Sequence, residues 1–396
     1  MRLAAAALQA GLALLGIVSS LEPAHAQGTA RSMDVDVSVR SAALGGASTA
    51  MFWGEERNHW ANPAVMGYET DIRYVHGNSQ LLPNLAPDVR FITDAVKFGG
   101  AGIGVVFSGQ PYGHGGVDLE YGPSVIFDPG NFIGTFDSYE HVHSWGFGVN
   151  ALAALDAALH LGGGAVRMAR WADVSFGMNF KDTQVVFAPD FQGSATTRDH
   201  GLLVRITPFD GLESSDSAPL RVDLAIGYSR INDDDNAGVI FSGSSVPEPV
   251  SHQERKGVGL HLAADPMRGK WPRDGVWSLL GPGLQPLVSA GLTYDHVVVT
   301  PSAGDFRTDG YGFELALARV FAIRLGYYRD PLGDVDGMSW GWSAGLPLGR
   351  WAGGYYEQAS WPVARDSGLE NQKREAAGVW LDPVAIWRSA RGSAAH

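Results

Sequence analysis

The chain of 396 residues contains no cysteine, which excludes disulfide bonds, zinc–thiolate sites, thiolate nucleophiles and the attachment residue of a lipoprotein. Charged side chains are also scarce, because Asp, Glu, Lys and Arg make up 18% of the residues against roughly 25% in soluble proteins. The formal net charge is -13, so a basic surface suited to nucleic acid is not expected. The composition suits an exported protein and argues against a nucleic-acid partner.

Long apolar runs are confined to the amino terminus. Arg2 precedes a predominantly apolar stretch over 3–18, and the small-residue site Ala24-His25-Ala26 follows it. This order is typical of a Sec-type signal peptide, so we expect residues 1–26 to be removed during export. Beyond them no run of 18 apolar residues occurs. A protein that crosses a membrane without such runs must do so as a closed β-barrel.

The mature sequence is dominated by period-two alternation between apolar and small or polar residues. In one stretch Val222, Leu224 and Ile226 alternate with Asp223 and Ala225. Such alternation places apolar side chains on one face of a strand and polar ones on the other, as in a barrel with a polar lumen. The 52 glycines fit the inner face of such a wall. The sequence therefore predicts an all-β fold, an antiparallel transmembrane β-barrel of about fourteen strands, over 70–78, 87–97, 101–110, 139–152, 159–176, 197–207, 220–231, 252–265, 286–299, 308–318, 321–329, 337–346, 350–360 and 373–382.

The connections are expected to sort by length, with long loops outside the cell and short turns in the periplasm. Two segments, 208–219 and 266–285, break this rule, and within the second, residues 267–283 are expected to form a periplasmic helix or to lie along the membrane interface. The last strand is expected to end near Leu381-Asp382-Pro383, which leaves a C-terminal tail over 384–396. The predicted long loops are 110–138, 177–196, 232–251 and 361–372, and the predicted short turns are 98–100, 319–320 and 347–349.

Two linked motifs precede the first predicted strand. Arg40-Ser41-Ala42-Ala43-Leu44-Gly45-Gly46-Ala47 is followed by Trp60-Ala61-Asn62-Pro63-Ala64. The pair resembles the opening of FadL/PorV-type outer-membrane barrels, which begin with R-x-x-A-L-G-G-A, a short helix and the tripeptide N-P-A. Residues 368–374 are similar to the final loop of that family. The resemblance implies a small N-terminal plug over 27–68 inside a barrel over 69–383, in a bacterial outer membrane.

In the FadL branch, the resemblance implies passive uptake of hydrophobic small molecules, which reach an apolar pocket and leave sideways through a kinked strand. Asn62, Pro63 and Ala64 match the family tripeptide, either as ligand contacts or only as a turn that docks the plug. The apolar pocket, or alternatively the contact between plug and wall, is expected to be lined by the aromatic residues of the plug, Phe52, Trp53 and Trp60.

The kink is assigned to the end of the third strand, where Gly109, Pro111 and Gly113 lie, because proline and glycine interrupt a hydrogen-bonded ladder. An ordinary strand end that opens into a long loop is the alternative. In the PorV branch the implied role belongs to another class, a barrel that binds protein partners and escorts secreted cargo. Both branches share the motifs quoted above, so the sequence leaves the two roles open.

No catalytic, cofactor or metal site is predicted. The sequence contains no P-loop and no H-E-x-x-H motif. His141 and His143 share a strand face without a third ligand at a fixed spacing, and Asp233-Asp234-Asp235 lacks the glycine and distal glutamate of a calcium loop. We expect a monomer without enzymatic activity, in contact with the bilayer and lipopolysaccharide, with a hydrophobic small molecule as its ligand.

Overall fold

The computed structural model describes residues 30–109, 116–128, 131–161, 168–212, 219–234, 237–267, 284, 286–300, 305–331, 335–349, 351–365 and 367–386. The predicted signal peptide lies outside these residues. Helices are short: α1 (Val39–Ala43), α2 (Ala151–Leu161) and the 3₁₀ helices Arg31–Met33, Pro63–Tyr68 and Met168–Arg170. The strands are β1 (Ile72–Leu82), β2 (Ala86–Gly100), β3 (Ile103–Ser108), β4 (Val117–Asp128), β5 (Asn131–Asn150), β6 (Ala172–Ala188), β7 (Phe191–Asp210), β8 (Leu220–Ile231), β9 (Gly238–Phe241), β10 (Glu248–Pro249), β11 (His252–Ala264), β12 (Val288–Thr300), β13 (Phe306–Leu317), β14 (Phe321–Asp330), β15 (Val335–Leu348), β16 (Ala352–Trp361) and β17 (Gln372–Leu381).

The strands form one closed antiparallel barrel. β17 pairs with β1, with Leu381 opposite Ile72, and β1 pairs in turn with β2. Over the described residues the sheet contains 17 strands, but β9 and β10 form an extra hairpin beside β7, and β3 and β4 share one position between β2 and β5. Fourteen positions therefore surround the lumen, which confirms the predicted fold class.

Side chains alternate across the wall as the period-two pattern predicts. Ile226 and Leu292 point outwards and are 65% and 52% exposed, whereas their chain neighbours point into the lumen. Tyr294, Tyr311 and Tyr327 lie side by side at one level of the outward face. An apolar belt bordered by aromatic residues is the surface of a transmembrane barrel. Among the described residues, no helix has the length and apolar character needed to cross a membrane.

The two ends of the barrel differ in the length of their hairpins. Short turns at 101–102 and 318–320 lie at the end where β1 begins and β17 ends, which we call the periplasmic end. At the opposite, outer end, the prediction of long loops over 110–138 and 177–196 was wrong, because most of the described residues there belong to the hairpins β4–β5 and β6–β7. The two strands of each hairpin remain hydrogen-bonded to each other beyond the outward tyrosines and other aromatic residues. There the wall has left the lipid, so its outer face need not be apolar.

One predicted strand is replaced partly by a helix. The expected strand over 159–176 was wrong, because α2 leads from the end of β5 and β6 begins only at Ala172. The α2 sequence is rich in alanine and leucine, which have high helix propensity, and the Asn150 side chain accepts a hydrogen bond from the Ala153 amide at 3.0 Å. At the carboxyl end, β17 stops at Leu381 as expected, and one helical turn follows at 383–386. Most of the predicted interfacial segment over 267–283, and the tail beyond 386, lie outside the described residues.

The N-terminal segment, residues 30–68, lies in the lumen where the plug was expected. It contacts strands on every side of the barrel, and its residues are almost all buried or half-buried. Inward hydroxyls of four strands donate hydrogen bonds of 2.6–3.1 Å to its carbonyl oxygens: Ser175 to Ala64, Ser229 to Ala61, Thr293 to Ala47, and Ser339 to Ala43. Whether the segment closes the lumen to solutes stays a prediction.

The wall lacks side chains where the N-terminal segment touches it most closely. A Cβ atom on Gly177 would lie 2.3 Å from the carbonyl carbon of Pro63, and one on Gly201 would lie 2.1 Å from Oδ1 of Asn62. Both positions therefore require glycine if the segment is to keep its place. They belong to a series of five inward glycines in register on neighbouring strands, which we call the glycine row: Gly99, Gly104, Gly148, Gly177 and Gly201.

We expect Gly177→Ala to displace the N-terminal segment and to lower the free energy of unfolding by about 1–3 kcal/mol, because the added methyl group overlaps the Pro63 carbonyl. Urea titration of the barrel folded into lipid vesicles measures this loss. Gly100→Ala is the matched control, since a Cβ atom there meets nothing within 4 Å. Equal unfolding curves for the two variants would contradict the role of the glycine row.

Candidate functional site

Asn62, Pro63 and Ala64 form the turn that fixes the N-terminal segment to the wall. The Asn62 side chain accepts a hydrogen bond from the Ala64 amide at 3.0 Å, which caps the 3₁₀ helix Pro63–Tyr68. Its amide nitrogen donates to the carbonyl of Thr49 at 2.7 Å and to that of Leu202 on β7 at 3.2 Å. All three residues of the tripeptide are buried, and both polar atoms of Asn62 are engaged. The geometry is that of a docking turn.

Arg40 ties α1 to the opposite side of the barrel. Its guanidinium is fully buried and makes a bidentate pair with Glu314 on β13, with nitrogen–oxygen distances of 2.8 and 2.6 Å. The remaining nitrogen donates to the carbonyls of Trp53 and Glu56. Glu314 also accepts a hydrogen bond from Arg324 at 2.7 Å. Every charge of this network has a partner, which is the condition under which buried ions are tolerated.

The side chains of Phe52 and Trp53 lie between the backbone of the N-terminal segment and the wall, towards the periplasmic end. Their rings meet edge to face at 5.3 Å, and Trp53 stacks on His261 at 5.1 Å. Trp53 borders a cavity of about 280 Å³. The same cavity is lined by charged side chains, among them Glu55, Arg57, Asp71, Arg73 and Arg319. Phe52 and Trp53 also pack with buried apolar residues of the segment and of the wall, such as Val65 and Leu203. That they line a pocket for an apolar ligand stays a prediction.

Trp60 lies towards the outer end, inside a group of buried apolar side chains. Its indole N–H donates to the Met33 carbonyl at 3.2 Å, and the ammonium of Lys181 lies 4.0 Å from the ring centroid. At this end the inner face therefore carries apolar side chains beside polar ones, since Glu140 and Lys181 also point inwards and are buried. We call the group the outer apolar cluster; it consists of Ala30, Met33, Trp60, Phe91, Val117, Leu119, Val142, Val185, Ala195, Val239, Phe241 and Val250.

The third position of the wall is interrupted beside this cluster. β3 ends at Ser108, opposite Ser144 of β5, and β4 resumes at Val117, opposite Val142 of the same strand. Both pieces also pair with β2. The chain thus returns to the ladder that it left, and both interpretations, a kink and an ordinary strand end, stay predictions. On β5, one residue, His143, lies between the two paired stretches.

The edges of the interruption meet closely. A Cβ atom on Gly116 would lie 3.1 Å from the Cα atom of Gly109, and the Asp94 amide of β2 donates to the Gly116 carbonyl at 2.6 Å. Gly109, one of the three residues of the predicted kink, stands at the first edge. Pro111 and Gly113 lie outside the described residues.

The sequence contains a hydrolase motif, but its residues do not adopt the geometry of a hydrolase active site. Gly341-Trp342-Ser343-Ala344-Gly345 fits G-x-S-x-G, which in hydrolases marks a sharp turn between a strand and a helix. Here the five residues lie inside β15, and the Ser343 hydroxyl accepts a hydrogen bond from Arg324 at 3.1 Å. A serine in mid-strand beside a guanidinium lacks the strained turn and the base that activate a nucleophile.

The contacts of three residues that hold the site together were not predicted from the sequence. Asp295 of β12 accepts from the amides of Ser48 and Thr49, both at 3.0 Å. Arg40 and Glu314 form the bidentate pair. Strand alternation places Asp295 and Glu314 on the inner face, but nothing in the spacing indicates which residue of the N-terminal segment each one meets.

We expect Arg40→Met to lower the free energy of unfolding by about 3–5 kcal/mol, because it leaves the buried Glu314 with one partner fewer. Lys256→Met is the control, since Lys256 pairs with Glu254 on the outward face and is 61% exposed, and such exposed pairs contribute little to stability. Urea titration in vesicles compares the two. A loss for Arg40→Met no larger than that for the control would refute the role of this pair.

Asp34, near the start of the N-terminal segment, makes the stability of its docking depend on pH. Burial raises the pKa of this carboxyl from 3.8 to about 6. Its contribution to stability is thus fully present below about pH 3.8 and is lost as pH rises through about 6. We expect protease to release the segment more slowly at pH 5 than at pH 8, and Asp34→Asn to reduce this difference. Asp190→Asn, in an exposed hairpin turn, should leave the difference unchanged.

Comparison with known proteins finds matches among solved structures. No protein-family model and no curated protein matches the chain. Among solved structures, the toluene transporter TbuX of Ralstonia pickettii is 10% identical, with a TM-score of 0.41. A FadL homologue of Pseudomonas aeruginosa is 7% identical with a TM-score of 0.37, and the monoaromatic hydrocarbon channel CymD is 8% identical with a TM-score of 0.44. Each match covers 88% of this chain and 98% of the other. The predicted resemblance to FadL-type barrels is thus found among the structural neighbours, at the level of the fold.

Proposed function

We propose that the protein is an outer-membrane barrel through which hydrophobic small molecules pass without an energy source. They enter at the outer apolar cluster and leave sideways at the interruption between β3 and β4. The observation that carries this proposal is the position of the cluster. Buried apolar side chains cover the inner face of the wall directly beside the interrupted strand, and Val117 belongs to both.

The outer apolar cluster is unlike the lining of a water-filled channel. A channel for polar solutes carries polar side chains on its inner face, since the lumen holds water. Here Phe91, Val117 and Leu119 point inwards and are 1%, 1% and 3% exposed. An apolar molecule that enters among them exchanges water for hydrocarbon contact, which favours binding in proportion to its buried surface.

The buried charges nearer the periplasm favour an exit through the barrel wall over an exit straight along the lumen. Glu314 and Asp295 of the wall hold the N-terminal segment through Arg40 and the Thr49 amide. A hydrocarbon that moved on towards the periplasm would have to displace paired, buried charges, which is costly. The interruption offers a shorter way out, and in this proposal Gly109, Pro111 and Gly113 form the kink that opens the wall.

The proposed function also includes a cellular location for the protein. In this proposal a signal peptide over 1–26 directs export, and the barrel lies in the outer membrane as a monomer, in contact with lipopolysaccharide at its outer end. The apolar belt supports the membrane location. Asn62, Pro63 and Ala64 then act as the docking turn of a plug rather than as ligand contacts. The protein-escort role of the PorV branch stays an alternative prediction.

A cysteine pair across the edge of the interruption tests the sideways exit. Ser108 and Ser144 are inward, buried and directly opposite each other, and partners in an antiparallel ladder have the Cα separation that a disulfide needs. The chain has no cysteine of its own, so Ser108→Cys with Ser144→Cys forms one defined bridge. We expect oxidation to reduce uptake of a labelled aromatic hydrocarbon by roughly tenfold or more, because a covalent bond pins the edge of the exit, and reduction to restore it.

The matched control is a bridge between Ser289 and Ala316, which are opposite each other on β12 and β13 near the periplasmic end. Oxidation of this pair should leave uptake unchanged. Equal uptake by the oxidised and reduced forms of the Ser108–Ser144 pair would overturn the sideways exit. Absence of uptake by the unmodified protein would overturn the transport function itself.

A further inference from the structure

His59 is a buried imidazole without a partner. It lies in the N-terminal segment next to Trp60, and its ring is 2% exposed. Neither Nδ1 nor Nε2 has a hydrogen-bond partner among the described residues. Asn58, by contrast, donates from its side chain to both carboxylate oxygens of Asp36, at 2.7 and 2.9 Å. A buried polar side chain without a protein partner can bind a water molecule or a polar group of a ligand.

The imidazole faces a small cavity directly behind the interrupted strand. The cavity measures about 20 Å³, which is room for one water-sized group. Ser108 and Val117, the residues on either side of the interruption, both line it. Val117 also belongs to the outer apolar cluster, so the cavity joins that cluster at its inner edge. A molecule with an apolar body among the cluster side chains and a single polar group at one end matches this arrangement.

The charges around the cavity are already paired. Lys97 lies 3.6 Å from Glu56 and donates to the Arg57 carbonyl at 2.6 Å. Lys181, the other ammonium near the imidazole, lies 2.9 Å from Asp199. Burial, together with these two ammonium groups, holds the pKa of His59 well below its usual range, so the ring is neutral. A neutral ring between neutralised charges favours an uncharged hydrogen-bonding group over a carboxylate or an ammonium.

We propose that His59 binds the hydroxyl group of a neutral amphipathic molecule, such as an alkylphenol or a long-chain alcohol, as the molecule passes the interruption between β3 and β4. The proposal rests on the proposed transport function and names the ligand class of that path. A neutral imidazole offers one N–H donor and one acceptor nitrogen, and a hydroxyl complements either of them. A pure hydrocarbon occupies the apolar cluster and leaves the imidazole unpaired.

Two ligands of the same size test this inference. 4-Butylphenol and 4-butyltoluene differ only in a hydroxyl against a methyl group, and their dissociation constants are measured on the purified full-length barrel in mild detergent. We expect His59→Leu to weaken binding of the phenol roughly 3- to 10-fold, the value of one hydrogen bond, and to change binding of the toluene by less than about 2-fold. His59→Gln keeps a donor and an acceptor and should restore part of the loss.

His261→Leu is the matched control, because His261 is a lumen histidine at the charged cavity and away from the interruption. It should leave the affinity ratio of the two ligands unchanged. If His59→Leu leaves that ratio unchanged while both ligands still bind, the cavity holds only water and the inference is wrong, but the transport function stands. If neither ligand binds the unmodified protein, the transport function fails first.

Discussion

The structure depends on the close approach of two backbones, that of the N-terminal segment and that of the barrel wall. The glycine row makes this approach feasible, because a Cβ atom on Gly177 or Gly201 would occupy space that Pro63 and Asn62 fill. Once the two backbones are that close, hydroxyls of the wall reach the carbonyls of the segment, and its buried polar groups find partners. The high glycine content is therefore a requirement of the docked segment as well as of strand curvature.

That docking divides the lumen into two chemically different parts. Around and below the segment, Arg40, Glu314 and Asp295 belong to a network in which charges are paired, so the segment is held by interactions that are costly to break. Towards the outer end, Trp60 and Leu119 belong to a cluster of apolar side chains, whose contacts separate at lower cost. The same segment thus takes part in the charged network and contributes side chains to the apolar cluster.

The sequence predicted the structure correctly where a residue pattern is compatible with only one structure. Alternation around Val222 and Ile226 predicted outward and inward faces, because lipid on one side and the lumen on the other act on every strand. It failed at the start of the strand predicted over 159–176, where Leu159 and Leu161 alternate with a polar residue but belong to a helix. It also failed at the outer end, where Phe91 and Val142 face inwards, since alternation alone does not indicate which face is apolar once the wall leaves the lipid. The pairing of Arg40 with Glu314 could not be predicted from the sequence. The two residues are 274 positions apart, and they meet only once the barrel has closed around the N-terminal segment.

The depth of the interruption explains how a membrane wall tolerates it. In hydrocarbon every backbone group needs a partner, so a broken ladder cannot lie at the centre of the bilayer. Here β3 leaves the ladder just beyond Phe107, which is outward, 46% exposed and opposite Trp145. Aromatic side chains of this kind lie at the membrane boundary. The next outward residues, His143 and Asp94, are polar, and the Asp94 amide still bonds to the returning chain. The wall is therefore weakest where headgroups and water begin, and an amphipathic molecule that leaves there keeps its polar group at the boundary while its apolar body enters the lipid.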